Sequence, residues 1–372
     1  MGVKEFPGIV TRALPRGNTW NIESYRNPIR PIEFGPTIGL WTPDIVIEAN
    51  GLIGYGGYGT VYRGYVIERD GKRTPVVIKI ASRPVHTGSP NSEEFLKELA
   101  IFEDQSANPT CSNSVTCIYG AFTCNMGFTR YYYECMILER MEGDLRSLGQ
   151  AIRYAPVIRQ DIKLHLLLYI GLHMAFDISK LHNAGFFHND IKPDNFLFKW
   201  DPPANRYRIK ISDFGLACSM DFNQHLKDRL RRAGKPEIAD VIPDSLKCYA
   251  LSTEGYMTTA FKELFNRKMI YGTSQPIRPD EGTDYKRIFR ENDISAISIT
   301  VNEIAGLMGL SSADWAARKY ECTPVQQALV NPATPKRLRY FTTLEDMIRA
   351  YAKAMEYMVK KNVPLIRVAL KK

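Results

Sequence analysis

The sequence predicts an α+β fold in two lobes, a small antiparallel β-sheet lobe with one helix followed by a larger, mainly helical lobe. Three observations lead there. Short β-branched runs separated by Gly, Asn and Asp crowd the stretch from residue 45 to residue 138. After Gly143 apolar residues recur at helical spacing instead. The 372 residues, 44% of them hydrophobic with 17 Phe and 20 Tyr, are enough to build a core in each half, which excludes general disorder.

Residues 1–43 carry Pro7, Pro15, Pro28, Pro31, Pro36 and Pro43 with little periodicity, so they read as an N-terminal arm. The first lobe, 44–140, holds strand-like runs at 45–47, 61–67, 76–80, 115–119 and 131–138. One helix interrupts them at 92–103, with Phe95, Leu99 and Phe102 on a single face. The second lobe, 141–372, has helical patterns near 160–184, 222–233, 293–308 and 343–360, and the join falls at 139–144.

Other classes drop out. The longest apolar stretch, 164–176, is broken by His165 and His173 and is shorter than the ~20 residues of a membrane span, so it reads as a buried helix. No basic and apolar leader opens the chain, and Met1-Gly2 is followed by Phe6 where an acylation signal needs Ser or Thr. A soluble intracellular protein, cytoplasmic or nuclear and without membrane association, is expected. The seven cysteines form no C-x-x-C pair and are expected as reduced thiols; the six His form no H-E-x-x-H.

Three signals carry chemistry. Gly54-Tyr55-Gly56-Gly57-Tyr58-Gly59-Thr60-Val61 is a G-x-G-x-x-G-x-V run, in which residues without Cβ let a hairpin close over phosphates. A strand follows it where a dinucleotide-binding turn would open a helix. Lys79 then ends the apolar run Val76-Val77-Ile78, with Glu98 on the following helix as its expected partner ahead of Glu94 and Glu103. The third signal is His188-Asn189-Asp190-Ile191-Lys192-Pro193-Asp194-Asn195-Phe196-Leu197, with Asp213-Phe214-Gly215 eighteen residues after Asn195. In-line phosphoryl transfer needs a proton-accepting aspartate, a lysine on the transferred group and two Mg²⁺ ligands, and these residues supply them in order.

With these motifs in place, residues 45–310 resemble the eukaryotic-type protein kinases. The resemblance implies Asp190 as catalytic base, Lys192 on the γ-phosphate, Asn195 and Asp213 as Mg²⁺ ligands, and Lys79 on the α/β-phosphates of ATP, paired with Glu98. It also implies Leu138 as gatekeeper, Glu139-Arg140-Met141 as the hinge that meets adenine, and Val61 and Leu197 above and below the base. Val77 stands two residues before Lys79, where Ala is usual, and lowers the roof of that pocket. Asp144 is a candidate for the ribose hydroxyls or a helix-start aspartate. Lys192, two residues after Asp190, matches Ser/Thr kinases, and the wording D-I-K-P-D-N-F-L is similar to the casein kinase I group and its vaccinia-related and viral relatives.

The sequence also departs from that family. Asn189 replaces the Arg that anchors an activation-loop phosphate, so activity independent of loop phosphorylation is expected. Ser252-Thr253-Glu254-Gly255-Tyr256-Met257-Thr258-Thr259-Ala260 stands for G-T-x-x-Y-x-A-P-E, with Ala260 in place of Glu and Thr253 kept as a partner of Asp190 and Lys192. Asp293 matches the aspartate that braces the catalytic loop, or else is a helix-start residue favoured by the dipole. Asn189, Ala260 and Val77 motivate a pseudokinase or scaffold reading. The His-Asn-Asp triplet motivates a small-molecule kinase of the choline or aminoglycoside type.

Charge bears on partners. Residues 1–145 hold 14 Lys and Arg against 16 Asp and Glu, while 146–372 hold 35 against 24, so the whole excess of +9 lies in the second part. The run Lys227 to Lys235 concentrates it within the activation segment. Acidic or already phosphorylated protein substrates are expected, whereas no nucleic-acid motif accompanies the charge.

Overall fold

A computed structural model of the chain describes residues 18–20, 44–56, 59–67, 71–83, 85–86, 93–105, 114–125, 131–155, 158–219, 224–232, 239–240, 248–271, 273–277, 284–310, 341 and 343–368. The chain divides into two compact units. One comprises Met1–Arg140 with Phe222–Leu246, the other Met141–Asp221 with Lys247–Lys372. Except for Asn18–Trp20, the expected N-terminal arm lies outside the described residues.

In the first unit the β-branched runs form one antiparallel sheet of β1 (Asn18–Trp20), β2 (Asp44–Gly56), β3 (Gly59–Ile67), β4 (Arg73–Ala81), β5 (Val85–His86), β6 (Ile118–Asn125) and β7 (Tyr131–Glu139). Their order is β1-β2-β3-β4-β7-β5, with β6 also on β7. Alternation buries Tyr62 and Val66 of β3 and Val76, Ile78 and Ile80 of β4 on one face, where Ile45, Cys135 and Ile137 complete the core. Helix α1 (Glu93–Gln105) turns Phe95, Leu99 and Phe102 inward, as its periodicity predicts. Here the structure corrects one reading: the basic run begins in α4 (Gln224–Arg232), which belongs to this unit and not to the second. The second unit still holds 30 Lys and Arg against 22 Asp and Glu.

The second unit opens with β8 (Gly143–Asp144), α2 (Leu145–Tyr154) and α3 (Gln160–Asn183). Helix α3 is long and apolar enough to cross a membrane by length and composition, yet two thirds of that window (67%) is buried, as in a core helix. After β9 (Phe186–Phe187) come a 3₁₀ turn (Pro193–Asn195), β10 (Phe196–Asp201), β11 (Arg206–Ile211) and β12 (Cys218–Ser219). Next are α5 (Thr259–Lys268), the hairpin β13 (Met269–Ile270) and β14 (Thr273–Ser274), α6 (Tyr285–Leu307) and α7 (Leu344–Lys360). Helices α3 and α7 pack closely, since a Cβ on Gly171 would lie 2.5 Å from the Tyr351 ring. Helix α5 was not foreseen, and α2 was foreseen only through the helix-start alternative for Asp144. Each is only 10 residues long, and each starts on a capping side chain, Asp144 or Thr258.

The cysteines overturn an expectation. Cys218 and Cys248 form a disulfide across 30 residues, with their Cα atoms 5.2 Å apart, and Cys117 is disulfide-bonded too; Cys135 is a buried thiol. Sequence spacing gave no hint because pairing depends on strands, not neighbours. Cys218 lies opposite Phe187 in the β9–β12 pair, and Cys248 packs into the same apolar cluster.

His173, which interrupts the apolar stretch on α3, gives a pH prediction. Burial, with Arg206 and Lys180 nearby, pushes its imidazole from 6.5 down to about 4. The unfolded chain therefore takes up this proton first as pH falls. The contribution is full above pH 6.5 and is lost between pH 6.5 and pH 4, amounting to about 3 kcal/mol at most. Thermal unfolding of His173→Gln should be flatter over that window than that of the native chain. Equal slopes would contradict the assignment.

Candidate active site

In the first unit the glycine run forms the β2–β3 hairpin, with Gly54 opposite Val61 and Gly56 opposite Gly59; residues 57 and 58 lie outside the described residues. Gly59 is required by packing, because a Cβ there would meet the Ile80 carbonyl oxygen at 2.5 Å. A Cβ on Gly54 would meet nothing within 4 Å, so open space adjoins that position. Lys79 sits on β4 between Val61 of β3 and Met136 of β7, and its Nζ lies 2.6 Å from Glu98 Oε1. Both side chains are nearly buried, so the expected partner is in place, whereas Glu94 is exposed and the Glu103 side chain lies outside the described residues. Val77 pairs with Leu138 across β4–β7, and the amide of Glu139 donates to the Cys117 carbonyl at 2.8 Å. Of the hinge positions expected to meet adenine, Glu139 thus ends β7 and Arg140 and Met141 follow it.

In the second unit, Asp190 stands at the centre of a donor cluster. Its Oδ2 accepts from Lys192 Nζ at 2.7 Å and from Asn195 Nδ2 at 2.8 Å, and its Oδ1 accepts from the Thr253 hydroxyl. Lys192 also donates to Thr253 Oγ1 at 3.1 Å. Thr253 brings in a segment 63 residues away in the chain, and the motif GTxxY alone had marked it. Asn195 spends both amide protons on Asp190, one on the backbone carbonyl at 2.7 Å, which leaves its Oδ1 as the oxygen that could face a cation. The amide of Ser212 donates to the Asn195 carbonyl at 2.9 Å and so ties Asp213 to this loop. Asp213 itself adopts a left-handed φ of 60°.

The loop's backbone is fastened from beneath. Asp293, fully buried, accepts from the amides of His188 (2.8 Å) and Asn189 (2.9 Å) and from His182 Nε2 (2.9 Å). It lies inside α6, which starts at Tyr285 on the cap Asp284, so the helix-start alternative is wrong and the bracing one is right. Asn189 takes φ 62°, a region Asn tolerates better than most residues, and its Nδ2 donates inward to the Leu216 carbonyl at 3.2 Å. The His188 ring accepts the Asp190 amide at Nδ1 and approaches the Ser212 carbonyl through Nε2.

Of the nucleotide candidates here, Asp144 caps α2 by accepting the Ser147 amide at 2.7 Å. Leu197 pairs with Asp144 across β8–β10, and Met141 stands two residues before β8.

A second cluster was not foreseen. Arg146 of α2 grips both oxygens of Asp194 (2.8 and 2.9 Å) and reaches Glu303 of α6 (2.7 Å), to which the Tyr256 hydroxyl also donates. Burial, then the Glu303 contact, drives the Tyr256 phenol upward. These four residues are scattered over 158 positions and share no motif, so no sequence signal could have joined them. Ala260, where Glu is usual, packs on the cluster around Phe261 and Phe289, while Asn292 Oδ1 holds the Thr258 amide at 2.9 Å.

No group of three or more His, Cys, Asp and Glu able to hold a metal occurs among the described residues. An Asn and an Asp still suit Mg²⁺, which keeps much of its shell for water and phosphate oxygens. A protein kinase domain model matches residues 47–233. A Dictyostelium discoideum protein described as "Probable serine/threonine-protein kinase" is 31% identical over 197 residues, covering 52% of this chain and 26% of that protein, so the chain spans about a quarter of this relative's length. The solved "ROP18 kinase domain in complex with AMP-PNP and sucrose" superimposes with a TM-score of 0.51 at 16% identity, covering 91% of this chain and 86% of the other.

Proposed function

The chain belongs to the protein kinase domain family, and from that premise we propose that it transfers the γ-phosphate of ATP to Ser or Thr hydroxyls of protein substrates, with Mg²⁺ as the cation. The observation that carries this reading is the Asp190 carboxylate held by Lys192, Asn195 and Thr253 on a loop braced by Asp293. A carboxylate so fixed can accept the substrate hydroxyl proton, while Lys192 offers positive charge where phosphoryl oxygens would gather. Asn195 and Asp213 would hold the Mg²⁺, which neutralises phosphate charge when bound. Lys79, kept in place by Glu98, would meet the α- and β-phosphates, and the open space at Gly54 suits a close approach of phosphate oxygens. Val61, Val77, Glu139, Met141 and Leu197 would contact adenine, with Asp144 near the ribose through whatever capacity its capping role leaves. Most of the catalytic effect would be positioning and electrostatics.

The finer affiliation with the casein kinase I group rests on the wording D-I-K-P-D-N-F-L, and the excess of Lys and Arg in the second unit supports acidic or phosphorylated substrates. Asn189, buried against Leu216, offers no guanidinium to a loop phosphate, which supports activity without loop phosphorylation. One assay addresses the transfer itself, the substrate preference and the loop phosphate. The native chain, before and after phosphatase treatment, is given Mg²⁺, labelled ATP and matched acidic and basic Ser/Thr peptides. We expect acidic peptides to be preferred by about tenfold at low salt, less so at high salt, and turnover to survive the phosphatase. Equal use of both peptides would sink the substrate preference. Absence of transfer to any peptide would return the scaffold reading.

A further inference from the structure

The chain leaves the second unit after Asp221 and returns to it at Lys247. The Cys218–Cys248 disulfide closes the neck of this excursion, four residues before Phe222 and two after Leu246. On one side, Cys218 pairs with Phe187 in β9, directly ahead of His188, Asn189 and Asp190. On the other, Cys248 begins the run to Thr253, whose hydroxyl touches Asp190; the Cys248 carbonyl is fixed by the Ile277 amide at 2.8 Å, and Tyr249 bridges Pro276. Both cysteines are buried with Phe187, Ala250, Phe261 and Phe289. C-terminal to Thr253 the segment has anchors of its own in Tyr256–Glu303 and Thr258–Asn292. N-terminal to it, the disulfide is the covalent anchor.

Building on the kinase reading above, we propose that Cys218 and Cys248 are positioning residues for phosphoryl transfer: their disulfide holds the segment bearing Thr253 against Asp190, and the oxidised chain is the active form. Reduction by a dithiol breaks the S–S bond. Two electrons and two protons pass to the sulfurs, giving two thiols, while the dithiol closes into its own cyclic disulfide. Cys218 and Cys248 are then no longer covalently joined, and the Thr253–Asp190 contact is populated less of the time. Such a cross-link persists only where thiols stay oxidised, so the proposal also places the working protein in an oxidising compartment.

The test compares the full oxidised chain with the same chain after dithiol treatment, with the state of Cys218 and Cys248 read by alkylation and mass. Reduction is expected to lower kcat for a peptide about tenfold while leaving KM for ATP unchanged, and reoxidation to restore it. Amide exchange should quicken across residues 248–258 and stay unchanged in α3 and α6. Because the bond at Cys117 is reduced as well, the Cys218→Ala, Cys248→Ala variant separates the two. It should show the low kcat and fast exchange with or without dithiol. Unchanged exchange across 248–258 on full reduction, or a double variant with native kcat, overturns the proposal. If neither form transfers phosphate, the kinase reading fails, and the exchange of 248–258 still decides the role of the cross-link.

Discussion

Asp190→Asn is expected to lower phosphoryl transfer by about 10²–10⁴-fold with little change in unfolding temperature. The amide keeps the shape of the side chain but cannot take up the substrate proton; with its NH₂ toward Thr253, whose hydroxyl can turn to accept, its oxygen still accepts from Lys192 and Asn195. Lys79→Met should cost a similar factor for a different reason, the loss of a fixed positive charge, at about 10²–10³-fold. The two variants also differ in stability. Lys79→Met strips Glu98 of its partner at 2.6 Å in a nearly buried place and should cost about 1–3 kcal/mol, whereas Asp190→Asn should not. Labelled-phosphate transfer and thermal unfolding measured side by side check both. Native turnover in either variant would refute its assigned role.

The largest stability effect is expected at Asp293, which no substrate touches. Asp293→Ala leaves the His188 and Asn189 amides and the His182 ring without an acceptor in a place closed to water. The expected cost is about 3–5 kcal/mol, and turnover should be lost even where the chain remains folded, because Asn189 would no longer be held in its left-handed backbone. Asp284→Ala, removing the exposed cap of the same helix, should cost only about 1 kcal/mol. Chemical unfolding of both variants measures the contrast. Equal, small losses would mean that Asp293 is not the brace of the catalytic loop.

Different parts of this arrangement were legible to different degrees. The strands β2, β3, β4 and β7 and the helices α1, α3, α4 and α7 followed from periodicity, because a half-buried strand or helix must repeat its apolar residues at its own pitch, whereas β6, expected at 115–119, runs over Ile118–Asn125, and β1 and β5 are too short to show a period. Helix α6 was read from residue 293, yet it begins at Tyr285; its first two turns, with Lys286, Arg287, Arg290 and Glu291, are too polar to announce themselves. Lys79 and Glu98 could be matched because a strand and the next helix place them predictably, with Phe95 and Leu99 steering Glu98 inward. Arg146, Glu303 and Tyr256 could not, since contacts between distant elements leave no local trace.

By itself, the sequence determined which chemistry-bearing side chains exist and in what order, and so the fold class and the catalytic loop, since those depend on residue type and short-range spacing. Only the tertiary structure decided that Asp293 braces from mid-helix, that Arg146 joins Asp194 to Glu303, that α4 belongs to the first unit, and that Cys218 meets Cys248. The physical reason is the same throughout. Each of these rests on segments brought together by burial of a shared core, and burial depends on the whole packed chain rather than on the neighbours of any one residue.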